Sequence, residues 1–331
     1  MDKTKNYSPK IAASILVPTH NHSKLLKYSV ASALNQTIQN IEVLVVGDGA
    51  PAETDRIMAR MCHQDPRLKY FPFPKGPRHG ELSRNKVLKL ARGKIICYLS
   101  DDDLYLPWHV ETQMESLIKA DFANTLPVII LPSQKVICPV VDLSKKEFRQ
   151  IMLKGKNYFS LTHAAHKTSA YRRLPYGWRT TPQNIPSDLY MFQQFLRQPG
   201  LTLYSSAQPT ALHFPSSLRQ HINPSERETE LARWSKNLRN YKGRELLLLM
   251  IADWLYRQNL NQNSSMLDQK AKHSRRIIKY EQSRDLWKAR SEHLADRLEN
   301  IANSKTWRYK NELSRLSGYS RLMEATKKKK R

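Results

Sequence analysis

The chain has 331 residues, a formal net charge of +26, 40% apolar residues and 9% aromatic residues. That composition supports a large packed core and excludes a disordered chain, while the charge implies an anionic partner: a nucleotide-bearing substrate, a polyanion or an acidic membrane surface. Cys62, Cys97 and Cys138 have no metal-ligand spacing and read as free thiols of a reducing compartment.

Residues 11–18 form the first expected strand, followed by a polar turn, Thr19-His20-Asn21-His22. Ser23 is placed to cap a helix with Leu25, Leu26, Val30, Ala33 and Leu34 on one face. Residues 41–46 form a second buried strand ending in Gly47-Asp48-Gly49, then a helix runs over 51–62 and a short strand over 68–71. A Pro/Gly-rich loop, 72–80, leads into a helix over 81–90 and a strand over 95–99. Strands alternating with helices in this order predict a parallel α/β sheet.

The strand at 95–99 ends in Asp101-Asp102-Asp103. Adjacent carboxylates repel one another unless a cation sits among them, and ligands bind at the C-terminal edge of such sheets. The triplet reads either as a divalent-cation site that also touches phosphate or as a solvated acidic turn. Asp48, between two glycines at another strand end, is placed to accept from a base or ribose hydroxyl, or is a plain turn residue. Arg84 either reaches a diphosphate or lies on a solvated helix face beside Leu82, Val87, Leu88 and Leu90.

Three blocks together carry a resemblance. Residues 14–21 (Ser-Ile-Leu-Val-Pro-Thr-His-Asn), 32–37 and 42–49 resemble the opening of family 2 glycosyltransferases. Ser83-Arg84-Asn85, residues 91–96 and the aspartate triplet continue the likeness in the same order, so that it covers residues 11–110. The resemblance implies a GT-A-like (Rossmann-like), mostly parallel sheet flanked by helices, a nucleotide-sugar donor, and a divalent cation (Mg2+ or Mn2+). It implies that Pro18, Asn21, Asp48, Arg84, Asp101 and Asp102 line the donor site, and that Asp101 and Asp103 hold the metal. Gly47 and residues 50–52 depart from the family's pattern, which has a second aspartate and a serine segment there.

Residues 128–131 and 135–141 look like strands. Leu189, Phe192, Phe195 and Leu196 give residues 186–196 an apolar helical face, with Asp188 in the first turn. An aspartate there is a helix cap, and the resemblance implies that it is also the general base; the family's Glu-Asp reads Ser187-Asp188 here. His213 reads as a structural histidine or, by resemblance, as a further metal ligand. Trp178, beside Gly177, is expected to stack on an acceptor sugar or to pack in the core.

Residues 245–258 read as a packing helix, 259–265 as a linker, and 266–303 as a long surface or loosely paired helix rather than a committed coiled coil. Tyr280, Trp287, Leu294 and Ile301 recur seven residues apart with Leu298 on the same side, but no second position repeats steadily. Residues 264–331 hold 19 Lys/Arg against 8 Asp/Glu. Ser304-Lys305-Thr306-Trp307-Arg308 resembles a tail of bacterial glycan-assembly transferases, and the basic amphipathic tail suits an anionic membrane surface. The expected organisation is a transferase domain over 1–215, packing helices over 216–262 and a basic helical extension over 263–331. Residues 1–10 lack the apolar core of a signal peptide and no apolar run spans a bilayer, so a cytoplasmic location is expected, peripheral to the inner face of the cell membrane. The expected activity is metal-dependent, inverting transfer of a sugar, UDP-linked, to a hydroxyl of a cell-surface glycan or lipid-linked acceptor. The alternative is a catalytically degenerate polyanion- or nucleic-acid-binding, or membrane-docked, scaffold on the same fold. No nucleic-acid motif supports nucleic acid as a partner.

Overall fold

The computed structural model describes residues 11–303 and Glu312. The likeness at 304–308 and the basic end at 327–331 lie outside the described residues. Two compact units are present, Met1–Arg257 and Gln258–Arg331.

The first unit opens with β1 (Ala13–Thr19), α1 (Ser23–Leu34), β2 (Ile41–Asp48), α2 (Ala52–Gln64), β3 (Leu68–Phe73), α3 (Glu81–Leu88) and β4 (Ile95–Tyr98). It continues through β5 (Leu104–Tyr105), α4 (His109–Lys119), β6 (Phe122–Leu126), β7 (Ile129–Ile130), β8 (Val136–Ile137) and α5 (Lys146–Leu153). Then come β9 (Ala164–Lys167), α6 (Thr168–Arg172), α7 (Ser187–Arg197), β10 (Leu203–Pro209), β11 (Ala211–Leu212), α8 (Pro224–Arg239) and α9 (Tyr241–Asn303).

Seven strands form one sheet in the order β10-β6-β9-β4-β1-β2-β3. All neighbours run parallel except β9, which lies antiparallel between β4 and β6. The sheet is therefore mostly parallel and flanked by helices, as the first hundred residues predict. Every residue of β2 is buried. Alternation explains it: Leu44 and Val46 join Leu16, Ile96 and Tyr98 in the core on one face. Val43 and Val45 join Ile15, Val17 and Cys97 on the other.

Register aligns the strand ends that matter. Thr19 pairs with Gly47, and Leu16 pairs with both Leu44 and Tyr98. The turns after β1, β2 and β4 thus leave the sheet at one edge.

Some local expectations change. Ser23 is the first helical residue of α1 rather than its cap; its hydroxyl bonds Thr54 Oγ1 at 2.7 Å. On α3 the inward face carries Arg84, Val87 and Leu88, while Leu82, and Leu90 past the helix end, are exposed, so of its two readings Arg84 does not take the solvated face. Residues 128–131 and 135–141 supply only the two-residue strands β7 and β8. Residues 259–265 are helical within α9 rather than a linker: asparagine and serine cost a helix only tenths of a kcal/mol each, about, and no proline or glycine interrupts them. In α8, Asn223 accepts from Ser225 N–H and Pro224 opens the helix, which buries Leu231, Trp234 and Leu238 beside Leu247 and Ile251 of α9.

Candidate active site

A cavity of about 750 Å³ opens at the edge where β1, β2 and β4 end. That volume is the size of a ligand pocket. Pro18, Asn21, Asp48, Arg84, Asp101, Asp102, Asp188 and His213 all line it. Two residues singled out by sequence do not: Asp103 and Trp178.

The three aspartates have different surroundings. Asp101 accepts from Thr19 Oγ1 at 2.7 Å and meets His22 Nδ1 at 2.9 Å. Asp102 accepts from the Ser216 hydroxyl and from Arg227 Nη2, the latter at 2.9 Å. Asp103 is fully buried, accepting from the Phe214 N–H at 2.8 Å and from the Thr162 hydroxyl, with His213 Nδ1 at 3.0 Å. Asp103 therefore ties the segment after β11 to the end of β4, and its oxygens are committed. Of the expected metal pair Asp101/Asp103, Asp103 thus has both oxygens engaged by protein donors. Ligand atoms of His22, Asp101 and Asp102 instead lie within 4.8 Å of one another.

Electrostatics agrees with that division. Burial, then the charges of Asp103 and Asp101, push the Asp102 carboxyl up to about 6. Burial also disfavours the Asp103 anion, but the His213 charge and hydrogen bond, with Thr162 and Phe214, hold it below the usual carboxylate range. Burial opposes protonation of His22, and the hydrogen bond and charge of Asp101 outweigh it and raise the imidazole. The clustered carboxylate charge at Asp101 and Asp102, beside an imidazole, fits a divalent cation such as Mn2+ or Mg2+. His213 lines the cavity with its Nδ1 on Asp103, and it stands outside that group.

Asp48 sits at the end of β2 inside the 74–80 loop. Its Oδ1 accepts from Gly76 N–H at 2.6 Å and its Oδ2 from Lys75 Nζ at 2.7 Å. Gly80 permits this closeness: its φ is +73°, and a Cβ there would stand 2.5 Å from Asp48 Cγ. Gly47, where the family pattern has an aspartate, faces Tyr70; a Cβ would stand 2.7 Å from the phenol oxygen.

Arg84 donates through Nη2 to the His79 carbonyl at 2.8 Å, its guanidinium lies 4.8 Å from the Trp178 ring, and its Nε is buried without a protein partner. Trp178 is 1% exposed and donates its indole N–H to Tyr98 OH at 3.2 Å. The sugar-stacking role expected of Trp178 is therefore corrected: the ring underlies Arg84. Asp188, in the first turn of α7, accepts from Leu189 N–H at 2.7 Å and from Asn157 Nδ2 at 3.1 Å. Burial raises its carboxyl despite those bonds and the nearby His213 and Arg84.

Sequence reasoning passed over His22, Lys75, Asn157, Ser216 and Arg227. Only His22 had a signal, its place in the polar turn after β1. Arg227 lies 125 residues from Asp102 in the chain, and only the packing of α8 on α1 brings it in.

A mostly parallel sheet with an acidic, arginine-lined cavity at its C-terminal edge is the arrangement in which open α/β sheets bind ligands. Residues 14–176 match the family described as Glycosyl transferase family 2. The likeness to that family therefore lies in the part of the chain that builds β1 to β4 and most of the cavity.

Over 125 residues the chain is 34% identical to an uncharacterized glycosyltransferase of Rickettsia bellii, a match covering 38% of this chain and 17% of that protein. Over 110 residues it is 31% identical to the GalNAc(5)-diNAcBac-PP-undecaprenol beta-1,3-glucosyltransferase of Campylobacter jejuni, covering 32% of this chain and 34% of that one. The chain thus spans well under two thirds of these relatives. Among solved structures, S. aureus TarS 1-349 in complex with UDP is 16% identical with a TM-score of 0.49, covering 74% of this chain and 70% of that one. No helix of the described residues is long and apolar enough to cross a membrane.

Proposed function

We propose that this protein transfers a sugar, with inversion, from a nucleoside diphosphate sugar to an acceptor hydroxyl. One observation carries the reading: eight residues chosen from sequence, drawn from positions 18 to 213, line one cavity. The family resemblance points to a UDP-linked donor. The Campylobacter relative, whose name describes a PP-undecaprenol substrate, supports a lipid-linked glycan as acceptor. The basic residues after 303 support attachment to the inner face of a membrane, from the cytoplasm.

In the proposed reaction Asp188 takes the proton of the acceptor hydroxyl. The acceptor oxygen bonds the anomeric carbon as the bond from that carbon to the diphosphate oxygen breaks, so one displacement inverts the centre. The raised carboxyl of Asp188 suits a proton acceptor near neutral pH, and Asn157 holds one of its oxygens. Arg84, supported by Trp178, offers positive charge to the departing diphosphate. Asp48 faces the nucleoside end. His22, Asp101 and Asp102 would hold a divalent cation, which when bound neutralises the leaving diphosphate.

Thermal unfolding with UDP and Mn2+ tests the donor site. The wild type is expected to gain several degrees only when both are present, and Asp102→Asn to lose that gain. Equal stabilisation of Asp102→Asn, or of the wild type in chelator, would contradict the assignment.

A further inference from the structure

The part of α9 beyond Arg257 carries an exposed apolar row. Ile277, Tyr280, Trp287 and Leu294 are 45%, 73%, 65% and 50% exposed. Tyr280, Trp287 and Leu294 recur every seven residues and Ile277 stands three before Tyr280, so all four share one helix face.

The two edges of this row carry opposite charge. Arg276, Lys279, Arg290 and Arg297 lie along one edge; Glu281, Asp285, Glu292 and Glu299 lie along the other. Lys288 is the exception on the acidic edge, four residues before Glu292. Two parallel helices related by a two-fold axis set the basic edge of each against the acidic edge of the other. An antiparallel pair sets like against like. An anionic lipid surface favours cations on both edges, so the acidic edge disfavours it as the occupant.

We propose that residues 272–299 pair in parallel and in register with the same residues of a second copy of this chain. Tyr280, Trp287 and Leu294 fill one repeating core position, while Ile277, Arg284 and Ser291 fill the other. Arg284, which binds Asp285 on its own helix at 3.0 Å, and Ser291 are polar core residues that fix register at a cost in strength. Arg276 faces Glu281 of the partner subunit. Four heptads span about 42 Å of helix, enough for a paired helix. The pairing is independent of the proposed activity.

Light scattering on the eluted full-length chain is expected to give twice 38.6 kDa. The double variant Tyr280→Glu, Trp287→Glu is expected to give the single mass, with unchanged unfolding temperature of the first unit. Mild oxidation of a Trp287→Cys chain is expected to link two copies through that position, and the wild type to stay unlinked. A monomeric wild type, a dimer that survives the double variant, or a dimer that fails to link at position 287 would each overturn the proposal. So would a monomer that floats with phosphatidylglycerol vesicles through this row.

Discussion

At the residue scale, identical side chains acquire different tasks from neighbours far along the chain. The aspartate triplet announces a concentration of negative charge, and that much is legible in sequence. Which carboxylates face the cavity is decided by His213, Phe214 and Thr162, which enclose Asp103, and by Ser216 and Arg227, which reach Asp102. These partners lie 59 to 125 residues away in sequence, beyond any local pattern. Trp178 makes the same point: its position beside a glycine reads equally as a stacking platform or a core residue, and only its enclosure by Tyr98 and Arg84 selects the core. Trp178→Phe, which keeps an aromatic ring under Arg84, is expected to cost about 1 kcal/mol for the lost hydrogen bond and to change acceptor affinity little. Trp178→Ala is expected to cost about 3–5 kcal/mol by opening a core cavity. Denaturant unfolding alongside acceptor kinetics checks both. A large loss of acceptor affinity in Trp178→Phe with intact stability would restore the sugar-stacking role.

At the element scale, the strands that read clearly are those buried on both faces. β1, β2 and β4 have continuous apolar runs, and their order and parallel register follow from alternation with helices. β9 is short, Ala-Ala-His-Lys, and has no such run. It enters the sheet because small residues and a neutral histidine fit between β4 and β6: His166 accepts from Tyr98 OH at Nε2 and donates from Nδ1 to the Lys167 carbonyl. Burial pushes His166 down to about 4 and, with His213, His163 down to about 3, against 6.5 for the free side chain. The unfolded chain therefore binds protons below pH 6.5 that the folded chain refuses until about pH 4. The contribution of these two imidazoles to stability is expected to be level above pH 7 and to fall as pH drops from 6.5 toward 4. Each of these imidazoles contributes about 1.4 kcal/mol per pH unit in that window. Urea midpoints from pH 7.5 to 4.5 measure this, and His166→Gln is expected to flatten the slope by one imidazole. An unchanged slope would mean that His166 is protonated in the fold.

At the scale of the whole molecule, the first unit carries the cavity and the residues that match the family, and the described residues of the second up to Asn303 form a helix with an exposed face. The extreme positive charge narrows the choice of partner without naming one, because it is spread over both units. Composition alone leaves a nucleotide sugar and a membrane equally good partners; the convergence of Asp48, Arg84, Asp101, Asp102 and Asp188 on one cavity favours the nucleotide sugar. The central claim is that donor capture and proton removal reside in separate carboxylates of that cavity. Its most direct test measures release of UDP from a panel of UDP-sugars, with Mn2+ and a lipid-linked acceptor, for the wild type and Asp188→Asn. The account predicts turnover by the wild type on at least one donor, and about 100-fold or greater loss in Asp188→Asn with donor-dependent stabilisation retained. Turnover by Asp188→Asn at the wild-type rate, or no stabilisation of either protein by any UDP-sugar, would contradict it.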